Sequence, residues 1–152
     1  MTPLDSRVSD ANAEALGVRV RDLMGNAGSA VADVLKTRFP EKKLLFVCGS
    51  GNNGGDGFAA ALRLEPRNTT VALLCEPSKI HSDESRFYYS LLECDIVPYS
   101  KELIDECDVI VDCALGTGMS GRVREPYRSF IEDADSSKKP VLSVDVPSGL
   151  GT

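Results

Sequence analysis

Histidine is nearly absent from this chain. His81 stands alone among 152 residues, in a polar stretch with no Cys or His beside it. One isolated imidazole argues against both a zinc centre and a Ser-His-Asp triad. The cysteines, Cys48, Cys75, Cys94, Cys107 and Cys113, are odd in number, form no C-x-x-C pair and fall mostly in or beside apolar runs. They read as reduced, strand-buried thiols of a cytoplasmic protein, not as disulfides or metal ligands. No Lys/Arg cluster occurs, and 17 basic residues against 23 acidic ones leave a net charge of -6, the wrong sign for a nucleic-acid partner. Lys42-Lys43 and Lys138-Lys139 read as solvated strand flanks. No apolar run approaches a membrane span, and Met1-Thr2-Pro3-Leu4-Asp5 lacks the basic-then-apolar pattern of a leader, so neither membrane nor targeting is expected. The apolar content of 42% suffices for one substantial core, and a single domain over residues 1–152 is expected.

Helical and strand signals alternate along the chain. Val20, Leu23, Met24, Ala27, Val31, Val34 and Leu35 recur at three- and four-residue steps. This predicts a core-packing helix over about 18–37, after a shorter one broken by Gly17. Apolar strands are expected at Leu44–Cys48, Thr70–Cys75, Ile96–Pro98, Val109–Cys113 and Val141–Val146, with helices at Gly57–Leu64, Ser82–Cys94, Lys101–Glu106 and Pro126–Ala134. Near-continuous hydrophobic strands imply a sheet covered on both faces. The order describes a Rossmann-like, doubly wound, mostly parallel α/β sheet in one three-layer domain.

In such sheets ligands bind outside the carboxyl ends of the strands. The first strand runs into Gly49-Ser50-Gly51-Asn52-Asn53-Gly54-Gly55-Asp56-Gly57, where five glycines are interleaved with two amides and a carboxylate. Glycines permit positive φ and close backbone approach to a ligand, while Asn52, Asn53 and Asp56 supply polar groups beyond what a structural turn requires. The loop contains G-x-G-x-x-G from Gly49 to Gly54, and Glu76 closes the next strand where a ribose-binding acid would sit. The fourth strand ends in Asp112 and the glycine-rich Gly116-Thr117-Gly118-Met119-Ser120-Gly121-Arg122; the fifth reaches Asp145 before Pro147-Ser148-Gly149. Carboxylates on apolar strands need a cation, a donor or a substrate to meet them.

These three ordered motifs, G-S-G-N-N-G-G-D-G-F, V-D-C-A-L-G-T-G with V-R-E-P close behind, and S-V-D-V-P-S-G, resemble the NAD(P)H-hydrate epimerase family, also called the YjeF N-terminal domain. Leu23 to Val31, L-M-G-N-A-G-S-A-V, is similar to that family's first long helix. The likeness spans nearly the whole chain; Cys113 and Leu115 vary apolar positions of the second motif. Family members continue with further strands beyond the point where this chain stops, which implies either a sheet truncated at its C-terminal edge or a fragment.

The resemblance implies repair of hydrated NADH and NADPH by interconversion of their two epimers, alongside a separate dehydratase acting on the same pool, and a homodimer as one assembly open to the domain. Carried over, Asn52, Asn53, Gly54, Gly55 and Asp56 would bind phosphate and sugar. The loop Gly116, Thr117, Gly118, Met119, Ser120, Gly121, Arg122 would cover the pyrophosphate. Asn53, Asp112 and Ser148 would give oxygen ligands to a potassium ion, and Asp145 would contact substrate. Amide, carboxylate and hydroxyl oxygens suit a hard cation. Epimerisation requires loss and return of the hydroxyl, through a ring-nitrogen-stabilised cation or ring opening, and a carboxylate can serve as acid and then base. Asp145 is the first candidate for that role and Asp112 the second, because a carboxylate engaged with a cation is the poorer proton donor. Loop N–H groups and Arg122 or Arg124 would offset the anionic substrate. Two alternatives remain: a non-catalytic interaction or dimerisation module of the same fold, and an NAD-dependent oxidoreductase, which would need a second, substrate domain.

Overall fold

The computed structural model describes residues 19–150. The short helix expected before Gly17 lies outside the described residues. The long helix α1 (Val20–Arg38) is followed by β1 (Leu44–Cys48), α2 (Asn52–Ala61), β2 (Thr69–Leu73), α3 (Asp83–Ser90), β3 (Asp95–Pro98), α4 (Glu102–Glu106), β4 (Val109–Cys113), α5 (Tyr127–Ser137) and β5 (Val141–Ser143). The strands form one sheet in the order β3-β2-β1-β4-β5, and all four pairings are parallel.

Every residue of β1 and β4 is buried, as central strands covered on both faces require. Alternation divides β1 between two cores. Leu44, Phe46 and Cys48 pack with Met24 of α1, Phe58 of α2 and Tyr88 of α3, whereas Leu45 and Val47 pack with Ile104 of α4 and Phe130 of α5. Phe46, Phe58 and Phe130 are fully buried, each stabilising the fold by about 1.5–3 kcal/mol. Helices therefore cover both faces of the sheet.

Two element boundaries differ from expectation in ways that matter for the site. Helix α2 starts at Asn52, so the asparagines, glycines and aspartate expected in an open loop form its first turns. Close packing explains this. A Cβ on Gly57 would lie 2.7 Å from the Cys113 sulfur and 2.9 Å from that of Cys48, and one on Gly55 would collide with Ser85 and Met24. These glycines let a helix sit directly on the sheet and beside α1 and α3; positive φ among the described glycines is confined to Gly121 and Gly149. Strand β5 ends at Ser143, three residues early. Val144 still donates to the Asp112 carbonyl at 2.9 Å, but Asp145 takes φ +68°, a left-handed conformation that Asp tolerates and that stops the strand. The other boundaries move by smaller steps, except that α2 stops at Ala61 and not Leu64, α3 stops at Ser90 and not Cys94, and α5 runs on to Ser137.

Candidate functional site

The strand order reverses between β1 and β4, and a cleft of about 750 Å³ opens beside the carboxyl ends of these strands. Asn52, Asn53 and Asp56 from the first turns of α2, Gly116 to Met119 from the loop after β4, and Asp145 after β5 all line it. The three segments crowd together at Gly116. A Cβ there would lie 3.0 Å from Asp145 Oδ2 and 3.3 Å from the Asn53 Cβ, so a side chain would force its neighbours to give by a few tenths of an ångström.

Beneath the cleft Asp112 is buried at 5% exposure and accepts from four donors. Ser148 gives its backbone N–H at 2.8 Å and its hydroxyl at 2.6 Å, the Ala114 N–H donates at 3.2 Å and the Ser143 hydroxyl at 3.3 Å. This donor set answers the cost of placing a carboxylate at the end of an interior strand. Leu115 ties in the third loop: its N–H donates to Ser148 Oγ at 2.9 Å while its carbonyl accepts from Asn53 Nδ2 at 3.0 Å. Asn53 is 9% exposed, and its Oδ1 is buried with no hydrogen-bond partner. An orphaned buried amide oxygen, on a side chain tied through Leu115 to Ser148 and so to Asp112, offers what a hard monovalent cation takes up. Asp145, in contrast, is exposed on the cleft wall, where its Oδ2 accepts the Thr117 N–H at 2.9 Å.

Some expected site residues stand apart. Gly54 and Gly55 are buried in the packing of α2 and do not line the cleft, nor do Ser120, Gly121 and Arg122, the last of which is exposed. Among the described residues no group of three or more His, Cys, Asp and Glu converges as a transition-metal site would require.

A family model described as YjeF-related protein N-terminus matches residues 20–152. The chain belongs to this family. Among its curated relatives, the NAD(P)H-hydrate epimerase of Cenarchaeum symbiosum is 38% identical, with 93% of this chain and 70% of the relative covered. The NAD(P)H-hydrate epimerase of Nitrosopumilus maritimus is 39% identical over 89% of this chain and 67% of its own. The bifunctional NAD(P)H-hydrate repair enzyme Nnr of Methanothermobacter thermautotrophicus is 40% identical over 99% of this chain but only 31% of its own length. The chain thus spans about a third of such bifunctional relatives. The crystal structure of yeast ynu0 shares the fold, with a TM-score of 0.78 at 24% identity over 95% of this chain and 69% of that one.

In this YjeF-related domain, sequence reasoning missed one whole wall of the cleft. Val20, Leu23, Met24, Ala27 and Val31 of α1 line it, although their spacing is that of any core-facing helix. Tyr127 at the start of α5 also lines the cleft, and its hydroxyl accepts the Ser50 N–H at 3.4 Å. No sequence signal marks it, since a lone tyrosine at a helix start reads as packing.

Proposed function

We propose that this domain interconverts the R and S epimers of hydrated NADH and NADPH, acting beside a separate dehydratase that returns the hydrate to usable cofactor. The observation that carries the reading is the convergence of three strand-end segments on one cleft, with an exposed carboxylate on its wall and a buried one below. The names borne by relatives at 38–39% identity point the same way.

Asp145 acts as the acid and base. It faces the cleft, and its backbone is held left-handed while Thr117 N–H fixes one carboxylate oxygen, so the group is oriented before substrate arrives. Asp112 lies below the cleft with its oxygens engaged by four donors, which suits anchorage better than proton transfer. Asn53 Oδ1, Asp112 and Ser148 would hold the potassium ion, which supplies positive charge next to an anionic substrate. Asn52, Asp56 and Gly116 to Met119 contact the sugar and pyrophosphate; Gly54 and Gly55 let α2 bring its N-terminus and N–H groups close to them. Arg122, exposed and outside the cleft lining, would turn in towards the pyrophosphate once it is bound. The apolar face of α1 shields the reacting ring from bulk water.

The test is an assay on one pure epimer of hydrated NADPH, followed by chromatography. Equilibration of R and S far above the spontaneous rate is expected. A background rate from a folded protein would favour the interaction-module reading, and a change in nicotinamide absorbance with an alcohol or aldehyde would favour the oxidoreductase.

A further inference from the structure

Glu76, at the position of a ribose-binding acid, does not line the cleft described above. It lines a second cavity of about 510 Å³ at the carboxyl ends of β2 and β3. Tyr89, Ile96, Pro98, Tyr99 and Pro126 give that cavity an apolar and aromatic lining, and Glu76 is the only charged residue among those lining it. A volume of this size with aromatic walls and one polar anchor matches a small-molecule site better than a packing gap. The walls of the two cavities are in contact. Pro126 lines one and Tyr127 the other, and the His81 N–H after β2 donates to the carbonyl of Ser50, which lines the main cleft, at 2.9 Å.

We infer that this second cavity takes the adenosine half of the dinucleotide hydrate, with Glu76 accepting from the ribose hydroxyls. The inference rests on the epimerase reading for the nature of the ligand. A dinucleotide crosses a doubly wound sheet at the reversal of strand order, its pyrophosphate on the helix that follows β1 and its adenosine over the neighbouring strands. Here that path leads from the Asn52 turn over β2 to Glu76. The adenine ring lies against the tyrosines and prolines. A 2′-phosphate would meet a carboxylate, with no Lys or Arg among the lining residues to neutralise it. The domain therefore binds the NADH hydrate more tightly than the NADPH hydrate.

Titration calorimetry with ADP-ribose and with 2′-phospho-ADP-ribose tests this without any turnover. ADP-ribose should bind the unmodified protein at least tenfold more tightly than its 2′-phosphate. Glu76→Gln should weaken ADP-ribose roughly tenfold, the loss of a hydrogen bond to a charged group, and Glu76→Arg should reverse the preference. Both changes are on an exposed side chain, and circular dichroism checks that the variants fold. An unchanged ratio in both variants, with epimerisation intact, overturns the adenosine placement and leaves the epimerase reading standing. The expected ratios without any epimerisation support the placement and remove the epimerase reading.

Discussion

Ser148 donates twice to Asp112, through its backbone N–H to one carboxylate oxygen and its hydroxyl to the other. The turn after β5 is thereby clamped to the end of β4. Ser148→Ala deletes one of these bonds and the acceptor for the Leu115 N–H. A loss of about 1–3 kcal/mol in urea denaturation is expected. Asp112→Ala should cost at least as much, since it strands four donors. If both variants unfold at the wild-type midpoint, the clamp has no energetic weight.

Asp145→Asn keeps an oxygen for the Thr117 N–H and removes proton transfer. Turnover of the hydrate should fall by on the order of 10²–10⁴-fold while the Kd changes far less. Collapse of affinity with turnover little altered would make Asp145 a binding residue and pass the chemistry to Asp112.

Potassium should stabilise the protein. If Asn53 Oδ1 completes a cation site, Tm in potassium chloride exceeds Tm in lithium chloride at equal ionic strength, equivalent to about 2–3 kcal/mol at a hundredfold excess over Kd. Asn53→Ala should abolish the difference. Equal melting in both salts removes potassium from the site.

Alkaline pH should weaken the fold through Cys113. Burial, then a hydrogen bond with the Cys48 thiol, pushes the Cys113 thiol well above its ordinary value of 9.0. The native state thus keeps a proton that the unfolded chain gives up above about pH 9. This stabilisation is complete below that pH and lost as pH rises towards the native value, by up to about 1.4 kcal/mol per pH unit. Urea midpoints at pH 8 and pH 10 should diverge in the wild type and diverge less in Cys113→Ala.

Gly28→Ala should destabilise despite its helical position. Its Cβ would sit 2.6 Å from the backbone carbon of Ala59, where α1 crosses α2, and backbone cannot step aside. Overpacking of about 1–3 kcal/mol should exceed the roughly 1 kcal/mol that alanine gains over glycine in a helix. Gly118→Ala, outside any helix and with nothing within 4 Å, serves as the control for space.

The central strands were legible because they are buried on both faces: Leu44–Cys48 and Val109–Cys113 appear with the expected ends. The start of α2 was not. Asn-Asn-Gly-Gly has poor helix propensity, and what makes it helical is the absence of Cβ atoms where it meets Gly49, Ser85, Met24 and two cysteines, a tertiary fact. Asp112 and Ser148 are expected together only through the family resemblance, as ligands of one cation, and the structure joins them by direct hydrogen bonds that no spacing in the sequence indicates. The α1 wall of the cleft stayed hidden because one apolar stripe can face both a core and an opening. Nor does sequence indicate that Asp145 leaves its strand, since φ at a single residue is set by the turn that follows.

The wiring of Asp112 also bears on the order in which the chain folds. Its donors Ser143 and Ser148 lie 31 and 36 residues downstream. During synthesis, at about 5–20 residues per second, β4 leaves the ribosome seconds before those groups do. Until they arrive, docking β4 beside β1 would bury a carboxylate served only by its own neighbour, Ala114. Closure of the sheet centre is thus coupled to the appearance of the segment that also carries Asp145. A nascent domain with a sealed core but no acid on its cleft wall is one that this sequence disfavours.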